Sequence, residues 1–167
     1  KTKSISFNPK FFYYPSDKTT FWFGLNGTYD VRIGGDITKI ESVENGIHQY
    51  TEENISKRLS SQAVYKTQID SISSLSIKNS VSFFDRNLTI PDFNFDGKQT
   101  NTFTEITYNR ETSKVDWIFG ANLYTSNFDE NDTATLQRDQ KDITYGIFAN
   151  NIYDLSENWI LETGLRA

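Results

Sequence analysis

Polar and apolar residues alternate with a period of two along most of this chain, as in a β-strand whose two faces meet different surroundings. The clearest run is Thr20 to Ile33. Phe21, Phe23, Leu25, Gly27, Tyr29, Val31 and Ile33 fall on one face, and Thr20, Trp22, Gly24, Asn26, Thr28, Asp30 and Arg32 on the other. An ordinary globular strand has about 5–6 residues. This run is roughly twice as long, near the ~9–11 residues that cross a bilayer at a tilt. The same alternation recurs over Leu75 to Phe83, Val115 to Tyr124, Ile143 to Tyr153 and Trp159 to Arg166. Ser4 to Tyr14, Ile55 to Ile69 and Thr102 to Arg110 are less regular. Pro9 weakens the first of these, since proline donates no ladder hydrogen bond. The pattern predicts an all-β, antiparallel up-and-down meander of about eight long strands.

The connections sort into two kinds. Short polar turns are expected at Pro15 to Lys18, Asp70 to Ser74, Glu111 to Lys114 and Asp154 to Asn158. Long polar loops are expected at Gly34 to Glu53, Asn87 to Asn101 and Asn127 to Lys141. The kinds alternate strictly, so a meander puts short turns at one end and long loops at the other, as transmembrane barrels do. Aromatic residues cluster near the short turns: Tyr13, Tyr14, Phe21, Trp22, Tyr65, Tyr108, Trp117, Tyr153 and Trp159. Rings at headgroup depth form such girdles, although aromatics also favour strands in general.

Composition fits a wall of which only every second residue is apolar. Hydrophobic residues make up 36% of the 167, aromatics 15%, and the mean hydropathy is -0.59. A Ser/Thr/Asn-rich soluble all-β module, of carbohydrate-binding or adhesin type, fits the same numbers. The net charge of -5 leaves no basic footprint for nucleic acid. Cysteine is absent, so neither disulfides nor thiolate metal sites are available. No run approaches the ~20 apolar residues of a membrane helix. Methionine is also absent and the chain opens directly into a strand, which reads as a segment of something longer.

No catalytic constellation is legible, and no cofactor or metal is implied. His48 is the single histidine and lies in a polar loop. Asn127 to Asp132 is rich in oxygen ligands but lacks the spacing, central glycine and closing glutamate of an EF-hand loop. Asn54-Ile55-Ser56 and Asn87-Leu88-Thr89 match a glycosylation pattern by chance. Gly34-Gly35-Asp36 reads as a turn, because no helix follows to make it a phosphate loop.

Tyr145-Gly146-Ile147-Phe148-Ala149-Asn150-Asn151, followed by Trp159-Ile160-Leu161-Glu162-Thr163-Gly164-Leu165-Arg166, resembles the barrel hairpins of TonB-dependent outer-membrane receptors. Gly34 to Ile37, Asn54 to Arg58, Leu75 to Ser82 and Phe95 to Gly97 look like the receptors of Bacteroidetes-type bacteria in particular. The resemblance is diffuse and covers nearly the whole chain. It implies part of a barrel of about 22 strands, from its middle to later portion, with no plug domain, TonB-engaging box or C-terminal strand in view. It also implies import of a scarce nutrient (siderophore, cobalamin, glycan or peptide) across the outer membrane. The partners would be outer-membrane lipid, a plug domain, the TonB complex and the nutrient ligand.

On this reading the lumen is lined by Asp30, Arg32, Arg58, Lys66, Lys78, Glu105, Asp116, Asn122, Asn150, Glu162 and Arg166. Ligand contact from outside falls to the long loops, at Asp36, Lys39, His48, Tyr50, Asp92, Phe93, Phe95, Phe128 and Arg138. A passive barrel or adhesin without TonB coupling remains an alternative. An outer-membrane hydrolase is disfavoured by the missing Ser/His/Asp arrangement.

Overall fold

A computed structural model describes residues 1–36, 40, 50–130 and 138–167. The described residues form nine strands: β1 (Thr2–Phe7), β2 (Lys10–Ser16), β3 (Thr19–Gly35), β4 (Thr51–Gln68), β5 (Ser73–Ile90), β6 (Phe93–Glu111), β7 (Val115–Glu130), β8 (Gln140–Ser156) and β9 (Trp159–Arg166). They build one antiparallel sheet in the order β1-β3-β4-β5-β6-β7-β8-β9, with β2 also on β3. The strand expected over Ser4 to Tyr14 is thus recorded as two. Its register is nevertheless continuous, since Phe7 faces Gly27 and Lys10 faces Gly24. The Leu25 N–H still donates to the Pro9 carbonyl at 3.0 Å. Pro9 has no N–H to return, so one rung is lost without a shift of the ladder.

Among the described residues the sheet has no second layer. Among the described residues Val64, 8% exposed, is the one buried hydrophobic side chain, whereas Trp117 is 41% exposed, Phe119 45% and Tyr145 81%. A soluble sandwich buries one apolar face against another. Here no described residue packs against the apolar face.

The register encodes a tilt. The row of partners that starts at Thr19, beside the first short turn, runs through Thr67, Leu75, Tyr108, Phe119 and Ala149 to Leu165. Thr19 opens β3, but Leu165 is the penultimate residue of β9. The row therefore climbs by about one residue per strand. With a rise of ~3.3 Å per residue and ~4.8 Å between strands, that stagger corresponds to a tilt of about 35°, within the usual range for closed barrels.

At one end the hairpins close tightly. The Ile72 N–H donates to the Asp70 carboxylate at 2.9 Å, which holds the Asp70 pKa below the usual carboxylate value. Thr112 Oγ1 donates to the Val115 carbonyl at 2.6 Å and accepts from the Val115 N–H at 3.1 Å.

The other end corrects an expectation. Asn87 to Asn101 is not a loop: β5 continues to Ile90, β6 starts at Phe93, and only Pro91 and Asp92 turn the chain. Proline fixes φ near −65° at the first turn position, and Asp92 takes φ 63° at the second, the dihedral sequence of a type II turn. Likewise β3 reaches Gly35, β4 starts at Thr51, β7 reaches Glu130 and β8 starts at Gln140. Residues 37–39, 41–49 and 131–137 of those two loops, Lys39 and His48 among them, lie outside the described residues. The strict alternation of short and long connections therefore fails at the β5–β6 hairpin.

Candidate functional site: the polar face and its outer end

Because side chains alternate along a strand, the register decides which residues share a face. It puts all eleven candidate lumen residues on one face. Asp30 lies across from Ser56, Arg32 from Asn54, Arg58 from Thr28 and Lys66 from Thr20. Lys78 faces Glu105, Glu105 faces Asn122, and Asp116 faces Ile152 and Glu111. Asn150 faces Gly164, Glu162 faces Ile152 and Arg166 faces Phe148. The opposite face carries Phe21, Tyr65, Ile77, Ile106, Ala121 and Ile147 in one unbroken row. On that face Ala121 and Ala149 leave an apolar trough of about 780 Å³ between Ile106, Tyr108, Phe119 and Leu165.

Within the polar face, charges pair across and along the strands. Lys78 Nζ lies 2.8 Å from Glu105 Oε1, and Arg32 Nε lies 2.6 Å from Asp30 Oδ2. Near the short turns a polar recess of about 320 Å³ is lined by Lys18, Lys66, Lys78, Ser76 and Asn109 among others. Ser76 Oγ and Asn109 Oδ1 are buried there without a hydrogen-bond partner. Trp22, expected in the aromatic girdle, also lies on this face. Its ring is 6.4 Å from that of Phe12 and lies under Lys10 Nζ at 5.4 Å. The girdle on the apolar face is therefore Tyr13, Phe21, Tyr65, Tyr108, Trp117, Tyr153 and Trp159, without Tyr14 or Trp22.

The outer end gathers three of the expected ligand contacts. The Phe95 and Phe128 rings stack at 6.4 Å with an interplanar angle of 11°, and the Arg138 guanidinium sits 5.9 Å over Phe95. Gly97 makes the stack possible, since a Cβ there would come within 2.7 Å of Phe95 and 3.0 Å of Phe128. Arg138 is fixed by a two-pronged contact with Glu130, whose side chain is fully buried. The Arg138 backbone N–H donates to the same carboxylate at 2.9 Å. Asp36 and Tyr50 meet on another hairpin, where the Asp36 N–H donates to the Tyr50 carbonyl at 2.9 Å. Phe93, 47% exposed, stands beside the Pro91-Asp92 turn. The oxygen-rich run is split by alternation: Asn127 and Asp129 point to one face and hydrogen-bond each other at 2.6 Å, while Glu130 turns to Arg138.

The hydrogen bonds from Arg138 hold the Glu130 carboxyl below its ordinary 4.5. A depressed folded pKa means stabilisation that is present above the unfolded carboxylate value and lost as pH falls through the folded one. The Arg138 Nε–H should accordingly resist solvent exchange in NMR at about pH 6 and lose that protection as the pH falls through the lowered Glu130 pKa. E130Q should abolish the protection at about pH 6 and in acid alike. Protection that survived acid would show that this carboxylate does not hold the end together.

Sequence reasoning missed Phe84, Arg86 and Glu130. Arg58 lies over the Phe84 ring at 4.9 Å, and Arg86 Nε donates to Asn54 Oδ1 at 3.3 Å. Phe84, Arg86, Leu88 and Ile90 continue the face of Ser74 to Ser82, so the period of two, followed past the last apolar outward residue, would have found them.

A tilted antiparallel wall with one apolar and one polar face has the fold of the outer-membrane β-barrel class. No protein-family model matches the chain, and no curated protein matches it in sequence. Solved structures do. The copper transporter OprC superposes with a TM-score of 0.77 at 12% identity, over 99% of this chain and 30% of its own. The ferric citrate transporter FecA, unliganded, gives 0.71 at 10% identity, over 99% and 27%. The Pseudomonas putida toluene transporter TodX gives 0.50 at 8% identity, over 98% and 54%. At these identities the likeness establishes the fold. The chain spans less than a third of the length of the first two.

Proposed function

We propose that this chain is part of the barrel wall of an outer-membrane transporter that takes up a scarce nutrient, coupled to TonB through a plug domain. One observation carries the reading: the register gathers every candidate lumen residue on one face and leaves the aliphatic and aromatic rows bare on the other. On β8 the apolar run from Ile143 to Tyr153 covers about 33 Å of strand, or about 27 Å of height at the inferred tilt. An outer-membrane barrel presents an apolar band about 25 Å tall. The fold likeness to a copper and a ferric citrate transporter supports transport over passive anchoring. Lys18, Lys66 and Lys78, with the unpartnered Ser76 and Asn109 oxygens, offer a polar recess at the short-turn end where a plug segment can dock. The Bacteroidetes-type assignment rests on the sequence resemblance, and a siderophore, cobalamin, a glycan or a peptide all remain within the substrate range.

The test uses single cysteines, for which this chain supplies an empty background. In intact cells D92C, at the long-loop end, should react with a membrane-impermeant maleimide, and K114C, at the short-turn end, should react only after lysis. Equal labelling of both in intact cells would refute the orientation and the membrane reading together. The soluble-module alternative predicts that outcome, but among the described residues it leaves Val64 as its whole apolar interior.

A further inference from the structure

The two faces exchange character part way along the β5–β6 hairpin. Towards the short turns, Leu75, Ile77, Val81 and Phe83 face outward while Ser76, Lys78, Ser80 and Ser82 face inward. Beyond Phe83 the outward positions become Asp85, Asn87 and Thr89, facing Lys98, Asp96 and Asn94 on β6. The inward positions become Phe84, Arg86, Leu88 and Ile90, with Phe93 and Phe95 facing the last two. A wall that has left the bilayer has water on its outer surface, so a polar outer face is expected there. An apolar inner face is not, unless something apolar meets it.

The charges say what that something carries. Arg32 and Arg138 on this end are neutralised by Asp30 and Glu130. Arg58 and Arg86 have no carboxylate partner among the described residues: one lies over Phe84 and the other donates to the Asn54 amide. Arg58 faces Phe84 across the ladder, which puts Arg86 on the diagonal, roughly 7–8 Å away between backbones. Two guanidinium groups on stems of that length can converge on one anion. A recess of about 210 Å³ opens beside Arg58, lined also by Phe84, Ser56, Thr28 and the paired Asp30 and Arg32.

We infer that the inner face of this end binds an organic anion with a sizeable apolar or aromatic body. Arg58 and Arg86 receive the anionic group, Phe84 floors it, and the Phe95–Phe128 stack receives the body. The inference deepens the transport reading, on which it rests, by naming the chemistry of the cargo.

The experiment places the full-length protein in lipid nanodiscs and measures the binding of naphthalene-2-carboxylate, the neutral 2-naphthylmethanol and acetate by saturation-transfer NMR. The carboxylate should bind about tenfold or more tightly than either of the others. R58Q/R86Q should remove that preference while leaving the neutral probe unchanged. F84A should weaken both aromatic probes, and K114Q, in the short turn at the far end, neither. Equal binding of the charged and neutral probes, or an undiminished preference in R58Q/R86Q, overturns the site. The D92C labelling separates the two ideas: lost preference with D92C still labelled from outside overturns the anion site alone, whereas D92C shielded in intact cells overturns the transport reading.

Discussion

Replacing Ile147 by arginine should destabilise the protein in a bilayer by about 2–4 kcal/mol, while T144R on the same strand changes stability by about 0.5 kcal/mol or less. Ile147 lies near the middle of the apolar run of β8 and is 66% exposed, so no described residue shelters a charge placed there. An arginine at mid-depth in hydrocarbon must give up its hydration or draw water and headgroups inward, and either is costly. Thr144 points to the opposite face, across from Tyr124, where water already wets Tyr124 and its neighbours. Denaturant unfolding of the full-length protein from liposomes measures both. If the two variants lose equal stability, the faces do not meet different solvents and the membrane assignment fails.

The second large effect concerns a single missing methyl group. Gly120 faces Phe148 on the polar face, and a Cβ at Gly120 would overlap the Phe148 ring. The ring lies flat over the glycine and covers backbone that would otherwise be bare. G120A should therefore cost about 1–3 kcal/mol, the usual penalty of overpacking. Removing the ring should take most of that away, so G120A in an F148A background should cost far less than in the native one. The double-mutant cycle measures the coupling directly. Additive effects would show that the ring swings aside freely and that the contact is incidental.

Most of the fold was legible because a sheet with one apolar and one polar face imposes a simple rule on alternating residues. Thr20 to Ile33 announces itself, since one face is apolar at nearly every step. The rule stops where the apolar face turns polar, and so did the legibility. Asn87 to Asn101 looks like a loop because Asp85, Asn87 and Thr89 follow Phe83 on that face, so its apolar period vanishes while the strand continues. The backbone ladder holds the segment extended without help from the pattern. Pro9 was legible as a weak point: the strand is interrupted at Asn8 and Pro9, while the register carries on across them because one rung is lost. The candidate site was half legible. Face membership of the eleven polar residues follows from parity alone, given the strands. The cluster of Phe95, Phe128, Arg138 and Glu130 depends on which residues of β6, β7 and the start of β8 stand side by side. That register is set by turns whose geometry the sequence reveals only locally.

The reversal of polarity on the β5–β6 hairpin also acts as a depth gauge. Sliding this ribbon two residues towards the short-turn side would carry Asp85 and Lys98 into the acyl layer, and sliding it the other way would lift Phe83 into water. On the membrane reading proposed above, each displacement is opposed by a different penalty, so the wall has one preferred height in the bilayer. On that reading its rim is held at a fixed distance from the lipid surface.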